Sequence, residues 1–305
     1  MSTVHIGPRH LLSLNDLSSD EAWALIRRAV ELKTLVKNGD IYEPLKNQTL
    51  AMIFEKSSTR TRVSFETGMA QFGGHALFLS SRDTQLGRGE PIADTAQVLS
   101  RMVNAIMVRN NSQAQLEELA HHSTVPVINA LTDKYHPCQL LADMQTWLEH
   151  RGDFSGKTAA WIGDGNNVCH SFINAAKLFG FNLRVATPVG YEPDSDVVAA
   201  AGDAVSLSND ANAAASGADL IVTDTWISMG QDEEKQQRVN DFAGFQVDQA
   251  MMSLAAEDAI FMHCLPAYRG YEVTAEVIDG KQSVVWDEAE NRLHAQKALL
   301  EMLMA

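Results

Sequence analysis

Short apolar runs alternate with longer stretches of helical periodicity along the whole chain. In the first half, the runs of strand length cover residues 50–55, 75–79, 105–108 and 125–129. Between them, Phe65, Met69 and Phe72 recur at spacings of four and three, and Ile92, Ala96 and Leu99 share one face of a helix predicted over 91–103. The second half repeats the scheme, with strands predicted at 158–163, 182–186, 220–223, 260–263 and 283–286. Buried runs rich in Val and Ile, set between helices, imply parallel sheets covered on both faces. So many strands exceed the usual single sheet, so the pattern predicts an α/β protein of two domains. The seam is expected near residue 135, where a helix over 136–150 carries the chain across with Leu140, Met144 and Trp147 on one face. A closing helix over 288–305 is expected to pack back on the first domain. The expected domains are therefore 1–134 completed by 288–305, and 135–287.

Charge narrows the choice of partners. Lys and Arg number 24 against 39 Asp and Glu, a formal net charge of -15. A chain this acidic repels nucleic acid and anionic lipid surfaces, so neither is expected as a partner, and any cluster of cations needs a specific reason. Cysteine occurs at Cys138, Cys169 and Cys264 only, an odd and sparse set that argues against a disulfide framework and for a reducing compartment. The N-terminal stretch has no apolar core, being interrupted by His5, Arg9 and His10, and no run approaches the ~18 apolar residues of a membrane span. We expect a soluble, cytoplasmic protein.

In open parallel sheets, ligands sit beyond the carboxyl ends of strands, so chemistry is sought there. After the first strand comes Lys56-Ser57-Ser58-Thr59-Arg60-Thr61-Arg62, then a helix. Ser and Thr are natural N-caps, the first-turn N–H groups point outward, and the segment carries Lys56, Arg60 and Arg62 with no acid among them. These features read as an anion site, against the plainer reading of a capped helix with solvated cations. The glycines of a Walker loop are missing, which disfavours a triphosphate. Arg109 ends the third strand and adds a cation at the same sheet edge. His136 and Gln139 are three apart in the first turn of a helix whose Pro137 suits that position.

Three strand ends stand out in the second half. Gly163-Asp164-Gly165-Asn166-Asn167 resembles part of a dinucleotide fingerprint, but Val168 stands where the third small residue is needed, leaving a nicotinamide dehydrogenase a weak alternative. Asp224 opens the segment Asp224-Thr225-Trp226-Ile227-Ser228-Met229-Gly230 and suits the ammonium of a small cationic substrate, or is simply a cap before a connecting loop. Cys264, in His263-Cys264-Leu265-Pro266, could be a nucleophile, a ligand, a positioning group or a small buried apolar residue. No metal-binding spacing accompanies it.

Taken in order, Ser58-Thr59-Arg60-Thr61, His136-Pro137-Cys138-Gln139, the segment Asp224 to Gly230 and His263-Cys264-Leu265-Pro266 resemble the motifs of the aspartate/ornithine carbamoyltransferase family, on its ornithine side. The resemblance covers essentially the whole chain. It implies two α/β domains joined by two helices, the first for carbamoyl phosphate and the second for L-ornithine. It also implies a homotrimer with shared active sites, and no metal or organic cofactor. Ser58, Thr59, Arg60, Thr61 and Arg109 would hold the phosphate, with Gln85 reaching in from a neighbouring subunit and Arg292 from the closing helix. Arg109, His136 and Thr61 would polarise the carbamoyl oxygen, while Gln139 and the backbone of Cys264 and Leu265 hold the NH2 group. Asn167, Asp224, Ser228 and Met229 would bind ornithine, and Asp224 and Cys264 would orient its amine and handle its proton. The catalytic set is thus Cys264, Asp224, Arg109, His136 and Arg60. Asp224 would repel a dianionic amino acid. Some members carry Lys in the loop after Gln85, where this chain has Arg88-Gly89-Glu90, so a role for Arg88 stays open. Putrescine, an acylated ornithine, or a non-catalytic anion-binding role are the competing readings.

Overall fold

A computed structural model of the chain describes residues 8–80, 84–85, 89–227 and 234–305. It resolves into two compact units, Met1–Gln145 with Asn291–Ala305, and Thr146–Glu290. The first unit contains α1 (Ser19–Asn38), β1 (Thr49–Phe54), α2 (Thr59–Gln71), β2 (His75–Ser80), α3 (Ile92–Leu99), β3 (Ala105–Arg109), α4 (Gln113–His122) and β4 (Val127–Leu131). It also holds the start of α5 (Pro137–Arg151). The four strands are parallel in the order β2-β1-β3-β4. Strands β1 and β3 are buried along nearly their whole length, as expected for a sheet covered on both faces. Ile53, Ile106, Val108, Leu116, Leu119 and Val127 pack into one core between the strands and the helices α3 and α4.

The second unit contains β5 (Thr158–Ile162), α6 (Asn167–Phe179), β6 (Asn182–Ala186), α7 (Ser195–Ala201), β7 (Val205–Ser208), α8 (Ala211–Ala215) and β8 (Leu220–Thr223). It continues through α9 (Lys235–Asp241), α10 (Gln249–Met252), β9 (Ile260–His263), α11 (Ala275–Ile278) and the first turns of α12 (Val285–Met304). Its five strands are parallel in the order β7-β6-β5-β8-β9. The core joins Ile162, Ile221, Trp226, Phe242, Phe261 and Val285. The chain divides within α5 and within α12, so these two helices carry the backbone from one unit to the other. Among the described residues, no helix is long and apolar enough to cross a membrane.

Both sheets therefore reverse direction once. In the first, the chain moves outward from β1 to β2 and the other way to β3 and β4. In the second, β5 leads to β6 and β7 on one side and β8 and β9 lie on the other. A crevice opens at the carboxyl ends of the two strands flanking such a switch. Those strands are β1 and β3 in the first unit, β5 and β8 in the second.

One strand expected from the sequence is not formed. Residues 283–286 make a single parallel bridge, Ser283 to Phe261, with the Val284 N–H donating to the Phe261 carbonyl at 3.0 Å, and the helix α12 begins at Val285. The apolar run there is the buried face of a helix start. The fifth strand is instead β7, whose Val-Ser-Leu-Ser sequence sits half exposed on the sheet edge and lacks the long apolar run of a buried strand.

Candidate active site

In the first unit the anion grip is built at the switch between β1 and β3. Ser58 caps α2: its hydroxyl accepts the Thr61 N–H at 3.3 Å and donates to the Thr61 hydroxyl at 3.1 Å. Ser64 fixes the first turn from below, donating to the Arg60 carbonyl at 2.6 Å. The α2 N-terminus is left with its N–H groups and dipole directed beyond the strand end. Two of the three cations noted there have acidic partners. Lys56 pairs with Asp133 at 3.5 Å, and Arg62 pairs with Glu66 at 2.9 Å while lying over the Phe78 ring. Arg109 closes β3, level with Phe54 of β1, and its carbonyl accepts the Glu55 N–H at 2.9 Å.

Two helices complete this half. Pro137 opens α5, and the His136 carbonyl accepts the Gln139 N–H at 3.1 Å. Arg292 of α12 donates to the Gln139 Oε1 at 2.7 Å and to the Thr61 hydroxyl at 3.2 Å. Thr61, Arg109, His136, Gln139 and Arg292 are all buried. Burial, followed by the positive charges of Arg292, Arg109 and Arg60, holds the His136 imidazole well below its ordinary pKa. His136 is thus neutral at physiological pH and can hydrogen-bond an oxygen without carrying charge itself. Three guanidinium groups converging on one buried neutral ring call for an anion. Gln85 is exposed, and the structure links it to the rest of the unit through its carbonyl, which accepts the Glu90 N–H at 3.2 Å. Thr59, the first residue of α2, is exposed at the helix mouth.

The second unit builds its half-site between β5 and β8. Gly163 adopts φ 137°, and Gly165 lies so close to the chain that an added Cβ would fall 2.3 Å from the Pro193 nitrogen. These contacts explain the Gly-x-Gly pair without a dinucleotide: the space beside Gly165 is filled by the protein's own backbone. Asn166, a residue that the motif alone does not single out beside Asn167, caps α6 by accepting the Val168 and Cys169 N–H groups at 3.0 and 3.1 Å. Its amide NH2 donates to the Asp224 Oδ2 at 2.8 Å. Asn167 is half-buried in the first turn of α6, with its carbonyl accepting the Ser171 hydroxyl at 2.9 Å.

Asp224 is the hub of this half. It is buried, and its Oδ1 accepts the Thr225 N–H at 2.7 Å and the Cys264 thiol at 3.1 Å. A thiol donating to a carboxylate is protonated, which favours a positioning role over a nucleophilic one. Behind Cys264, His263 is fully buried. Its Nδ1 accepts the Leu265 N–H at 2.9 Å, so the proton resides on Nε2, which lies 3.2 Å from Glu272. That bond holds Leu265 at φ 57°, a left-handed conformation costing a non-glycine residue roughly 1–2 kcal/mol. Asp224, His263 and Cys264 bring ligand-type atoms within 4.8 Å of one another. A cation there would have to take a His263 nitrogen already committed to Leu265 or Glu272. Arg238 of α9 is buried between the Tyr191 and Phe242 rings and pairs with Asp164. Burial outweighs that partner and raises Asp164 to about 6. Ser228, Met229 and Arg88 lie outside the described residues.

Fold and sites together define a class: a two-unit parallel α/β protein with an arginine-lined anion grip in one unit and an acid–thiol–amide cluster in the other. Family models for the carbamoyl phosphate-binding domain and the Asp/Orn-binding domain of aspartate/ornithine carbamoyltransferases match residues 9–149 and 155–303. The chain belongs to this family. It is 64% identical over 295 residues to the ornithine carbamoyltransferase of Nitrosococcus oceani, covering 97% of each chain. It is 61% identical over 297 residues to a Pseudomonas savastanoi pv. phaseolicola protein named ornithine carbamoyltransferase 1, anabolic, again covering 97% of each. The solved ornithine carbamoyltransferase of Pyrococcus furiosus superposes with a TM-score of 0.93 at 50% identity, covering 99% of both chains. That of Burkholderia thailandensis gives 0.91 at 54%, covering 97% of this chain and 98% of that one.

Proposed function

We propose that the protein transfers the carbamoyl group of carbamoyl phosphate to the δ-amine of L-ornithine, releasing L-citrulline and phosphate. The observation that carries this reading is the buried Asp224 carboxylate, oriented by Asn166 and Cys264 in the unit whose family model is named for Asp/Orn binding. A carboxylate at that point favours an amine-bearing acceptor and disfavours aspartate, whose own carboxylates it would repel.

Ser58, Thr59, Arg60, Thr61 and Arg109 hold the phosphate by the α2 N-terminus and by guanidinium charge. The neutral His136, with Arg109 and Thr61, polarises the carbamoyl oxygen; such preorganised donors are worth roughly 3–4 kcal/mol each. Gln139 and the backbone of Cys264 and Leu265 take the carbamoyl NH2. Asn167, Asp224, Ser228 and Met229 bind ornithine. The acceptor amine has a reference pKa of ~10.4, so reaching its neutral form at pH 7 costs roughly 4.6 kcal/mol. Asp224 and Cys264 orient that amine, and the Asp224 carboxylate receives its proton. Direct attack needs no acyl-enzyme, in keeping with a Cys264 thiol that keeps its proton.

The working assembly is a homotrimer in which Gln85 completes the phosphate site of a neighbour. Exposed Leu77 and Phe78 on the edge strand β2, with exposed Val63 on α2 and Met102 elsewhere on the first unit, support self-association. The reaction runs in the cytoplasm towards citrulline in arginine biosynthesis, in keeping with relatives named anabolic. A colorimetric citrulline assay with ornithine, putrescine, acetylornithine and aspartate as competing acceptors tests the reading. Product is expected with ornithine alone, and equal turnover of another acceptor would overturn the assignment.

A further inference from the structure

Gln139 is held at both ends. Its Nε2 donates to the Asp143 carboxylate at 2.8 Å, and its Oε1 accepts from Arg292 Nη1 at 2.7 Å. Asp143 lies one turn further along α5, on the same helix face, and both residues are only 1% exposed. Arg292 continues the chain of bonds to the Thr61 hydroxyl at 3.2 Å. The two ends of a glutamine amide are nearly the same in shape, so its neighbours decide which end faces where. Here the carboxylate demands a donor and the guanidinium demands an acceptor. Both demands agree on one orientation, and each bond involves a group of the kind that makes the stronger, charge-assisted contacts. A flipped amide would set N–H against guanidinium and oxygen against carboxylate.

We propose that Asp143 is a positioning residue for the transfer reaction: its carboxylate locks the Gln139 amide with the oxygen towards Arg292 and the carbamoyl NH2. This rests on the reading of Gln139 as the acceptor for that NH2. Asp143 touches neither substrate in this scheme. It acts through Gln139, and through Gln139 on Arg292 and Thr61. Its charge opposes the phosphate, and within the chain of bonds described it fixes the polarity of the Gln139 amide.

The test is a polarity swap read by steady-state kinetics with each substrate varied. Asp143→Asn can no longer impose an orientation, and is expected to lower kcat/KM for carbamoyl phosphate by about ten- to a hundredfold, as losses of such supporting contacts do. KM for ornithine at saturating carbamoyl phosphate is expected to move less than about threefold. Gln139→Glu alone sets two carboxylates together and should be worse. The double variant, Asp143→Asn with Gln139→Glu, reverses the bond. The amide introduced at position 143 donates to the carboxylate introduced at position 139, whose second oxygen still accepts from Arg292. This variant is expected to recover most of the Asp143→Asn loss. Wild-type kinetics for folded Asp143→Asn, or a double variant no better than the worse single one, would overturn the proposal. Should Asp143→Asn not fold, the Gln139 side-chain NH2 signals of the wild-type enzyme decide by NMR. Slow exchange with carbamoyl phosphate bound supports the lock, and exchange as fast as an exposed amide overturns it. A wild-type enzyme that makes no citrulline would instead refute the function, and the NMR signals would still judge the lock.

Discussion

A buried imidazole among guanidinium groups resists protonation, and His136 is held so first by burial and then by Arg292, Arg109 and Arg60, from three elements. Its folded pKa lies below the unfolded value of about 6.5, so between the two the unfolded chain binds the extra proton. Stability from this group is therefore present above about pH 6.5 and is lost as pH falls below it. Denaturant midpoints for wild type and His136→Gln, compared from pH 5 to 7.5, should diverge with a slope of up to about 1.4 kcal/mol per pH unit. Parallel curves would refute a depressed His136. Asp224 supports a second expectation: Asp224→Asn should cut kcat/KM for ornithine by about ten- to a hundredfold while carbamoyl phosphate binding, measured by calorimetry, changes little. Equal losses in both would displace Asp224 from its role. At this scale, the residues legible in the sequence were those at strand ends with obvious chemistry, such as Arg60, His136 and Asp224. Asn166 and Asp143 were not, because each acts on another side chain instead of a ligand. The four-residue spacing of Gln139 and Asp143 was a usable signal, since it places them on one helix face. Arg62 and Lys56 misled in different ways: the same four-residue spacing announces the Arg62–Glu66 pair, whereas nothing near Lys56 in the chain announces that Asp133 engages it.

The elements were readable where a run is apolar on both faces and hidden where it is not. Buried β1, β3, β5 and β8 stand out by composition, while β7 alternates Val and Leu with Ser on an exposed edge. Residues 283–286 show the converse: the backbone pairs with Phe261 once and then coils, because Val285 joins the core from a helix. The strand-to-helix turn after β5 gives this scale its prediction. Gly165→Ala would drive a methyl into backbone at 2.3 Å from the Pro193 nitrogen, a contact that no side-chain rotation relieves. We expect a loss of about 1–3 kcal/mol, read from the melting temperature, with a rise in KM for ornithine as the Asn166 cap and its bond to Asp224 shift. An unchanged melting temperature would show that the 191–193 segment yields freely.

For the molecule as a whole, two domains could be read from the alternation of strands and helices, but the strand order could not. The order places each half-site at a reversal of its sheet, and periodicity carries no information on which strands neighbour one another. Nor could periodicity report a subunit-shared site, and the trimer proposed above is open to a direct trial. Arg60→Gly and Gln85→Ala should each be nearly inactive, yet co-refolded mixtures should regain activity in roughly a quarter of the sites, those pairing an intact Arg60 with a neighbour's intact Gln85. No recovery, with mixed trimers demonstrated by light scattering and tagged pull-down, would assign Gln85 to its own subunit. The first unit is also interrupted in the chain: Arg292, which bonds Thr61 across 231 residues, lies beyond the whole of Thr146–Glu290. During synthesis the ribosome must finish the second unit before it delivers that arginine. A nascent chain can therefore complete its acceptor half early, but it stays unable to close its grip on the phosphorylated donor until its last helix has been made.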